Sequence, residues 1–196
     1  MGAYYGSVAV LGAGTMGNGI AQVFAMSGSR VLLIDLAADA LERGMATIEK
    51  NLGRMVKKEN ISQADADAAL GRIQRGTSLE DISDQDLIVE AVVERSDVKA
   101  QVFRQLDELA KPEAILASNT SSISITEIAA NTKRPEQVIG MHFMNPVPIM
   151  KLVEVIRGQE TSDATTDAVL KCSEELGKVP VPANDYPGFV SNRVLM

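Results

Sequence analysis

The hydrophobic residues of the chain form short continuous runs, and longer amphipathic stretches separate these runs. The runs have the length of buried strands, whereas the stretches between them repeat apolar residues at helical spacing. Because the two patterns alternate, the sequence predicts an α/β domain built on a mostly parallel sheet. The predicted strands are 8–11, 31–34, 87–94, 114–117, 138–143, 150–156 and 179–181, and the predicted helices are 16–27, 39–56, 62–73, 96–109, 125–130 and 163–176.

One connection is longer than a single crossover helix requires. Residues 36–73 contain two helical patterns, with Asp39 and Ser62 as the predicted N-caps. Ser62 and Asp65 have the spacing of a capping box, which marks the start of a helix. We therefore predict a helical hairpin inserted between two strands.

Four cations in the predicted helices each have two interpretations. Lys50, Arg54 and Lys57 share one helix face, which is either a solvated surface or a docking edge for a phosphorylated substrate tail. Lys99 lies in the first turn of the helix 96–109, where a cation opposes the helix dipole. It either contacts an anion or is simply solvated.

The alternation of strands and helices is also interrupted around Pro148, where two apolar runs flank a proline-containing loop. This pattern predicts an antiparallel pair of strands at the sheet edge. If the chain folds back about Pro148, His142 and Glu154 are equally far from the turn and pair across the strands. Glu154 is the only charge in the run 152–156, and a buried carboxylate needs a partner. His142, the single histidine, is the predicted partner.

A glycine-rich turn connects the first predicted strand to the first helix. Gly12, Gly14 and Gly17 form the pattern G-x-G-x-x-G in the strand–turn–helix context that dinucleotide-binding sites require. The first glycine allows the turn, the second allows a pyrophosphate to approach the backbone, and the third allows close helix packing. Thr15 and Met16 lie at the helix N-terminus, whose N–H groups favour a phosphate.

The second predicted strand ends in an acid, Asp35, at the position where dinucleotide-binding domains hold the adenosine ribose hydroxyls. Leu36 and Ala37 follow, and neither supplies a cation for a 2′-phosphate. The pattern therefore favours NAD over NADP. The alternative is an ordinary glycine turn with a solvated aspartate.

The predicted strand 114–117 runs into five small polar residues, 118–122. Ligands of open α/β sheets bind beyond the carboxyl ends of the strands, so this run is a candidate substrate loop. The alternative is a plain turn that ends in a helix cap.

Composition narrows the function classes. The 196 residues carry a net charge of −7, and no basic cluster indicates nucleic-acid binding. No apolar run reaches the roughly 20 residues that span a bilayer, which indicates no membrane partner. The single Cys172 excludes an internal disulfide, no metal site is indicated, and a cytoplasmic location is expected.

Four segments resemble the L-3-hydroxyacyl-CoA dehydrogenase family, especially its short-acyl 3-hydroxybutyryl-CoA type. The resemblance covers essentially the whole chain. The segments are V-L-G-A-G-T-M-G-N-G-I-A, S-N-T-S-S-I-S-I-T, G-M-H-F-M-N-P-V-P-I-M-K-L-V-E-V-I and D-Y-P-G-F-V-S-N-R.

This resemblance implies a Rossmann-type doubly wound fold and NAD-dependent interconversion of (S)-3-hydroxyacyl-CoA and 3-ketoacyl-CoA. It implies that residues 1–185 form the NAD-binding domain. Residues 186–196 would begin a truncated all-helical domain, which forms the homodimer and completes the substrate cleft. The family's roles fall on a general base, His142, and its orienting acid, Glu154; on two substrate contacts, Ser121 and Asn192; and on four NAD contacts beside the glycine turn, Asp35, Glu94, Lys99 and Asn145.

Other dehydrogenase classes fit less well. Tyr4, Tyr5 and Tyr186 all lack a lysine four residues on, which excludes a short-chain dehydrogenase. A β-hydroxyacid dehydrogenase of another substrate class remains an alternative, although the phosphogluconate type would use a lysine base. A non-catalytic NAD-binding or structural relative is the other alternative.

Overall fold

The computed structural model describes residues 4–186 and contains one eight-stranded sheet with six α-helices. The strands are β1 (Ser7–Leu11), β2 (Arg30–Ile34), β3 (Ile73–Gly76), β4 (Leu87–Glu90), β5 (Ile115–Ser118), β6 (Val138–Phe143), β7 (Leu152–Arg157) and β8 (Val179–Asn184). The helices are α1 (Thr15–Ser27), α2 (Ala38–Lys57), α3 (Gln63–Gly71), α4 (Ser96–Leu109), α5 (Ile125–Ala129) and α6 (Asp163–Glu175).

The sheet has the strand order β3-β2-β1-β4-β5-β6-β7-β8, and every pair is parallel except β6 with β7. The chain winds outward from β1 in both directions, so the order reverses between β1 and β4. Such a reversal opens a crevice at the carboxyl ends of the strands, where α/β proteins bind ligands. The predicted doubly wound α/β fold is confirmed.

Helices cover both faces of the sheet. Val8 and Val10 of β1 face the core that α1, α2, α3 and α6 cover, whereas Ala9 and Leu11 face the core under α4 and α5. A strand that is buried on both faces needs apolar residues at every position. This requirement explains why the strands appear in the sequence as continuous apolar runs.

The predicted helical hairpin is confirmed, but its boundaries differ from the prediction. The capping box of Ser62 and Asp65 begins α3. Asp39 does not cap α2, because the N-cap is Ala37, whose N–H is bonded to the side chain of Asp35. The prediction of helix as far as Ile73 was wrong, since this residue begins β3.

Two boundaries near the site also differ. The strand β4 ends at Glu90, so Glu94 lies in the following loop rather than in a strand. The N-cap of α4 is Arg95, one residue before the predicted Ser96. No helix within residues 4–186 has the length and apolar character that crossing a bilayer requires.

Candidate active site

The glycine turn has the geometry that its pattern predicts. Gly12 has a φ of +94°, and a Cβ there would lie 2.6 Å from the carbonyl oxygen of Ala91. A Cβ at Gly17 would lie 1.7 Å from the carbonyl oxygen of Gly12, so α1 packs directly on the turn. A Cβ at Gly14 would meet no other atom of the chain within 4 Å, so this position faces open space. Gly14 is also the N-cap of α1, and no side chain caps this helix, so the N–H groups of Thr15 and its neighbours can bind an anion.

A groove of about 430 Å³ runs from this turn across the end of β2. Asp35 lies at its rim, where Oδ2 accepts the N–H of Ala13 at 2.9 Å and Oδ1 accepts that of Ala37 at 3.0 Å. The groove is otherwise mainly apolar. Its other walls include Leu36, Leu79, Val92, Val98 and Val102. An apolar slot with one carboxylate at its rim fits an adenosine, because the ring is buried and the ribose hydroxyls have an acceptor.

A second pocket of about 370 Å³ lies beyond the carboxyl ends of β4, β5 and β6. It shares Ala91 and Val92 with the groove, so the two cavities are adjacent. Its lining brings together five of the predicted site residues, Met16, Glu94, Ser121, His142 and Asn145.

His142 and Glu154 are directly opposite each other in the register of β6 and β7. His142 Nδ1 lies 2.7 Å from Glu154 Oε2, and the glutamate is only 1% exposed. The cross-strand pair predicted from the spacing about Pro148 is therefore confirmed. A carboxylate at this distance accepts the Nδ1 proton, which fixes both the tautomer and the orientation of the ring.

Lys99 is 1% exposed, and it lies between two carboxylates. Its Nζ is 2.6 Å from Glu90 Oε1 and 3.3 Å from Glu94 Oε2. The interpretation that Lys99 contacts an anion is thus confirmed, and the anions belong to the chain itself. The carboxylate of Glu90 is fully buried at the end of β4.

Glu94 holds the polar loop of residues 118–122 in place. Its Oε1 accepts the hydroxyl of Thr120 at 2.5 Å and the N–H of Ser121 at 2.9 Å. Burial raises the pKa of Glu94, but these donors and the charge of Lys99 outweigh burial, so the pKa lies below its usual value. The loop that carries Ser121 is therefore fixed to a carboxylate that stays ionised at neutral pH.

The remaining predicted residues lie elsewhere. Lys50, Arg54 and Lys57 are exposed on α2 and do not line either cavity. Asn192 lies outside the described residues. Sequence reasoning did not single out Asn119, whose Oδ1 accepts the N–H of Phe143 at 2.9 Å.

Comparison with known proteins decides the family. Residues 7–186 match the model of the 3-hydroxyacyl-CoA dehydrogenase NAD-binding domain. The chain belongs to this family. NAD is accordingly its cofactor, and the glycine turn, Asp35 and the two adjacent cavities fit a dinucleotide.

Known proteins are similar to the chain over nearly all of its length. The chain is 54% identical over 187 residues to a probable 3-hydroxybutyryl-CoA dehydrogenase of Deinococcus radiodurans, covering 95% of the chain and 67% of the relative. It is 50% identical over 196 residues to the 3-hydroxybutyryl-CoA dehydrogenase of Bradyrhizobium diazoefficiens, covering 100% of the chain and 67% of the relative. The crystal structure of (S)-3-hydroxybutyryl-CoA dehydrogenase from Ralstonia eutropha superposes with a TM-score of 0.95 at 48% identity, covering 97% of this chain and 68% of that one. The chain therefore spans about two thirds of the length of these relatives.

Proposed function

We propose that the protein containing this chain interconverts (S)-3-hydroxyacyl-CoA and 3-ketoacyl-CoA with NAD, and that His142 is the general base. The single observation that carries this proposal is the 2.7 Å contact between His142 Nδ1 and the buried Glu154 at the pocket. The names of the relatives favour a short acyl chain, such as 3-hydroxybutyryl-CoA.

The chemistry of the pair follows from its geometry. Glu154 holds the proton on Nδ1, so Nε2 is the ring nitrogen that takes the proton of the substrate C3 hydroxyl. The imidazolium that forms is stabilised by the adjacent carboxylate. NAD supplies the two-electron acceptor when it is bound. In the reverse direction His142 returns the proton to the oxygen of the ketone.

Ser121 is placed to bind the reacting oxygen, because it lines the same pocket as His142. Its backbone is held by Glu94, so this position is fixed before a substrate enters. We assign the second contact to the oxygen to Asn192, on the family resemblance. Glu94 and Asn145, which line the pocket, are assigned to the nicotinamide half of the cofactor on the same ground. Lys99 is assigned to it as well, although it lines neither cavity and its ion pair with Glu94 is its link to the pocket.

The acyl-CoA tail needs a cationic surface, and α2 offers one. Lys50, Arg54 and Lys57 are exposed on one face, and within the part of the chain that the structure describes none of them forms an ion pair. We assign the CoA phosphates to this face. A domain boundary at 185/186, a homodimer formed through the helical segment of the family and a cytoplasmic location remain predictions.

The test measures turnover of (S)-3-hydroxybutyryl-CoA by the full-length protein that carries this chain. The formation of NADH is the readout. His142→Ala should lower kcat by roughly 10²–10⁴-fold, since it removes a general base. Glu154→Gln should also lower kcat, with little change in the affinity for NAD, because it removes the charge that stabilises the imidazolium.

Glu160→Gln is the matched control for Glu154→Gln, because it changes the same side chain at an exposed position after β7. It should leave kcat unchanged. Near-normal turnover of His142→Ala would show that another group is the base. If the Glu154 and Glu160 substitutions change kcat equally, Glu154 does not orient His142.

A further inference from the structure

The loop of residues 144–151 connects β6 to β7 and forms one wall of the pocket beside His142. Asn145 is on this wall. The loop turns on itself, because the N–H groups of Ile149 and Met150 both donate to the carbonyl of Pro146, at 3.0 and 2.9 Å. Since these bonds are all within the loop, they do not fix its position over the pocket.

Contacts with two other elements do fix it. On one side, Val147 is buried against α1, where a Cβ at Gly19 would lie 2.8 Å from the Cβ of Val147. On the other side lies Lys178, the residue just before β8. Its Nζ donates to the carbonyl of Val147 at 2.5 Å and to that of Met150 at 2.8 Å. The N–H of Val179 also donates to the carbonyl of Lys151 at 2.8 Å. The loop is therefore held between α1 and the start of β8, and the ammonium group of Lys178 supplies two of the hydrogen bonds on the β8 side.

This ammonium is placed unusually for a lysine. Lys178 is only 8% exposed, and no carboxylate of residues 4–186 lies within 4 Å of its nitrogen. Burial lowers the pKa of its side chain below the usual value. A buried charge without a counter-charge is costly to the folded state. The two carbonyl contacts satisfy two of its three donors but do not neutralise its charge, which argues against a purely stabilising role.

We propose that Lys178 is a positioning residue, which holds the pocket loop so that Asn145 reaches the nicotinamide half of the cofactor. Lys178 itself touches neither cofactor nor substrate, since it acts through the carbonyls of Val147 and Met150. The inference rests on the proposed placement of Asn145. It adds a determinant of cofactor binding that the glycine turn and Asp35 do not contain.

The proposal predicts a selective loss. The groove beside Asp35 binds the adenosine half of NAD, whereas the loop affects only the nicotinamide half. Lys178→Met in this chain should therefore weaken NADH binding while ADP-ribose, which has no nicotinamide, binds as before. Losing one hydrogen bond to the cofactor corresponds to roughly a three- to tenfold weaker Kd.

Calorimetric titrations of the chain with NADH and with ADP-ribose measure both affinities. Lys178→Gln keeps a donor nitrogen without the charge and should give an intermediate loss of NADH affinity. It also decides the question if Lys178→Met does not fold. Lys171→Met is the matched control, because Lys171 is exposed on α6, and it should change neither affinity. Asn145→Ala should reproduce the selective loss of NADH binding.

Two results would overturn the proposal: wild-type NADH affinity in the folded Lys178 variants, or an equal loss of NADH and ADP-ribose affinity, which indicates general destabilisation. The underlying assignment has its own readout. If Asn145→Ala binds NADH normally while the Lys178 variants lose it selectively, the assignment of Asn145 is wrong and the positioning of the loop by Lys178 stands.

Discussion

Lys99→Met tests the buried charge cluster at the end of β4. Glu90 is 0% exposed, and its carboxylate has three partners: Lys99 Nζ at 2.6 Å, the N–H of Val92 at 2.8 Å and the hydroxyl of Ser118 at 2.6 Å. The substitution removes the only cation of the three. Glu90 would then keep two hydrogen bonds but carry an uncompensated charge in the core.

Removing one partner of a buried ion pair costs about 3–5 kcal/mol. A domain of this kind has a total free energy of unfolding of about 5–15 kcal/mol. For a chain of about 150–250 residues, each kcal/mol lowers Tm by about 2–4 °C, so Lys99→Met should lower it by roughly 6–20 °C. Glu90→Gln combined with Lys99→Met removes both charges and should recover most of this loss.

Urea unfolding of the single and double variants measures these differences. The control is Arg43→Met, which breaks the exposed pair of Arg43 and Asp39 on α2 and should cost less than about 1 kcal/mol. A loss in Lys99→Met no larger than in the control would refute the reasoning. Failure of the double variant to recover stability would show that packing of the Lys99 side chain, rather than its charge, is what matters.

Two further predictions concern ligand binding. The chain should bind NADH at least about tenfold more tightly than NADPH, because Asp35 repels a 2′-phosphate, and Asp35→Ser should narrow the ratio; titration that shows equal or tighter NADPH binding contradicts the assignment of Asp35. In the full-length protein, changing Lys50, Arg54 and Lys57 together to Gln should weaken acyl-CoA binding and flatten its salt dependence, with NAD affinity unchanged. Unchanged acyl-CoA affinity would assign that face to solvent.

The parts of the fold that follow from continuous apolar runs could be predicted from the sequence. Burial on both faces forces apolar residues into the central strands, and the glycine spacing determines the turn that follows β1. The pairing of His142 with Glu154 could also be predicted from the sequence, because the register of a hairpin depends only on the number of residues from its turn. The register confirms this pairing.

Features that depend on tertiary contacts could not be predicted from the sequence. The strand β3 is a half-exposed edge strand without clear alternation, and its pairing with β2, rather than its own propensity, makes it a strand. In the sequence, the apolar run continues past Glu90 as far as Glu94, so the pattern does not show that β4 ends at Glu90. Lys178 gave no signal at all, because its partners are backbone carbonyls, and a sequence does not show where these point.

The prolines of β8 affect whether another copy of the protein can add a strand to the edge of the sheet. Pro180 and Pro182 have no N–H to donate, so in a strand paired with β7 their nitrogens face away from β7. A further strand approaching this edge would find no donor at either position. The opposite edge is β3, which is only four residues long and exposes Gln74 and Arg75. Neither margin is a good template for strand addition, so the protein should resist edge-to-edge aggregation even though its sheet is open.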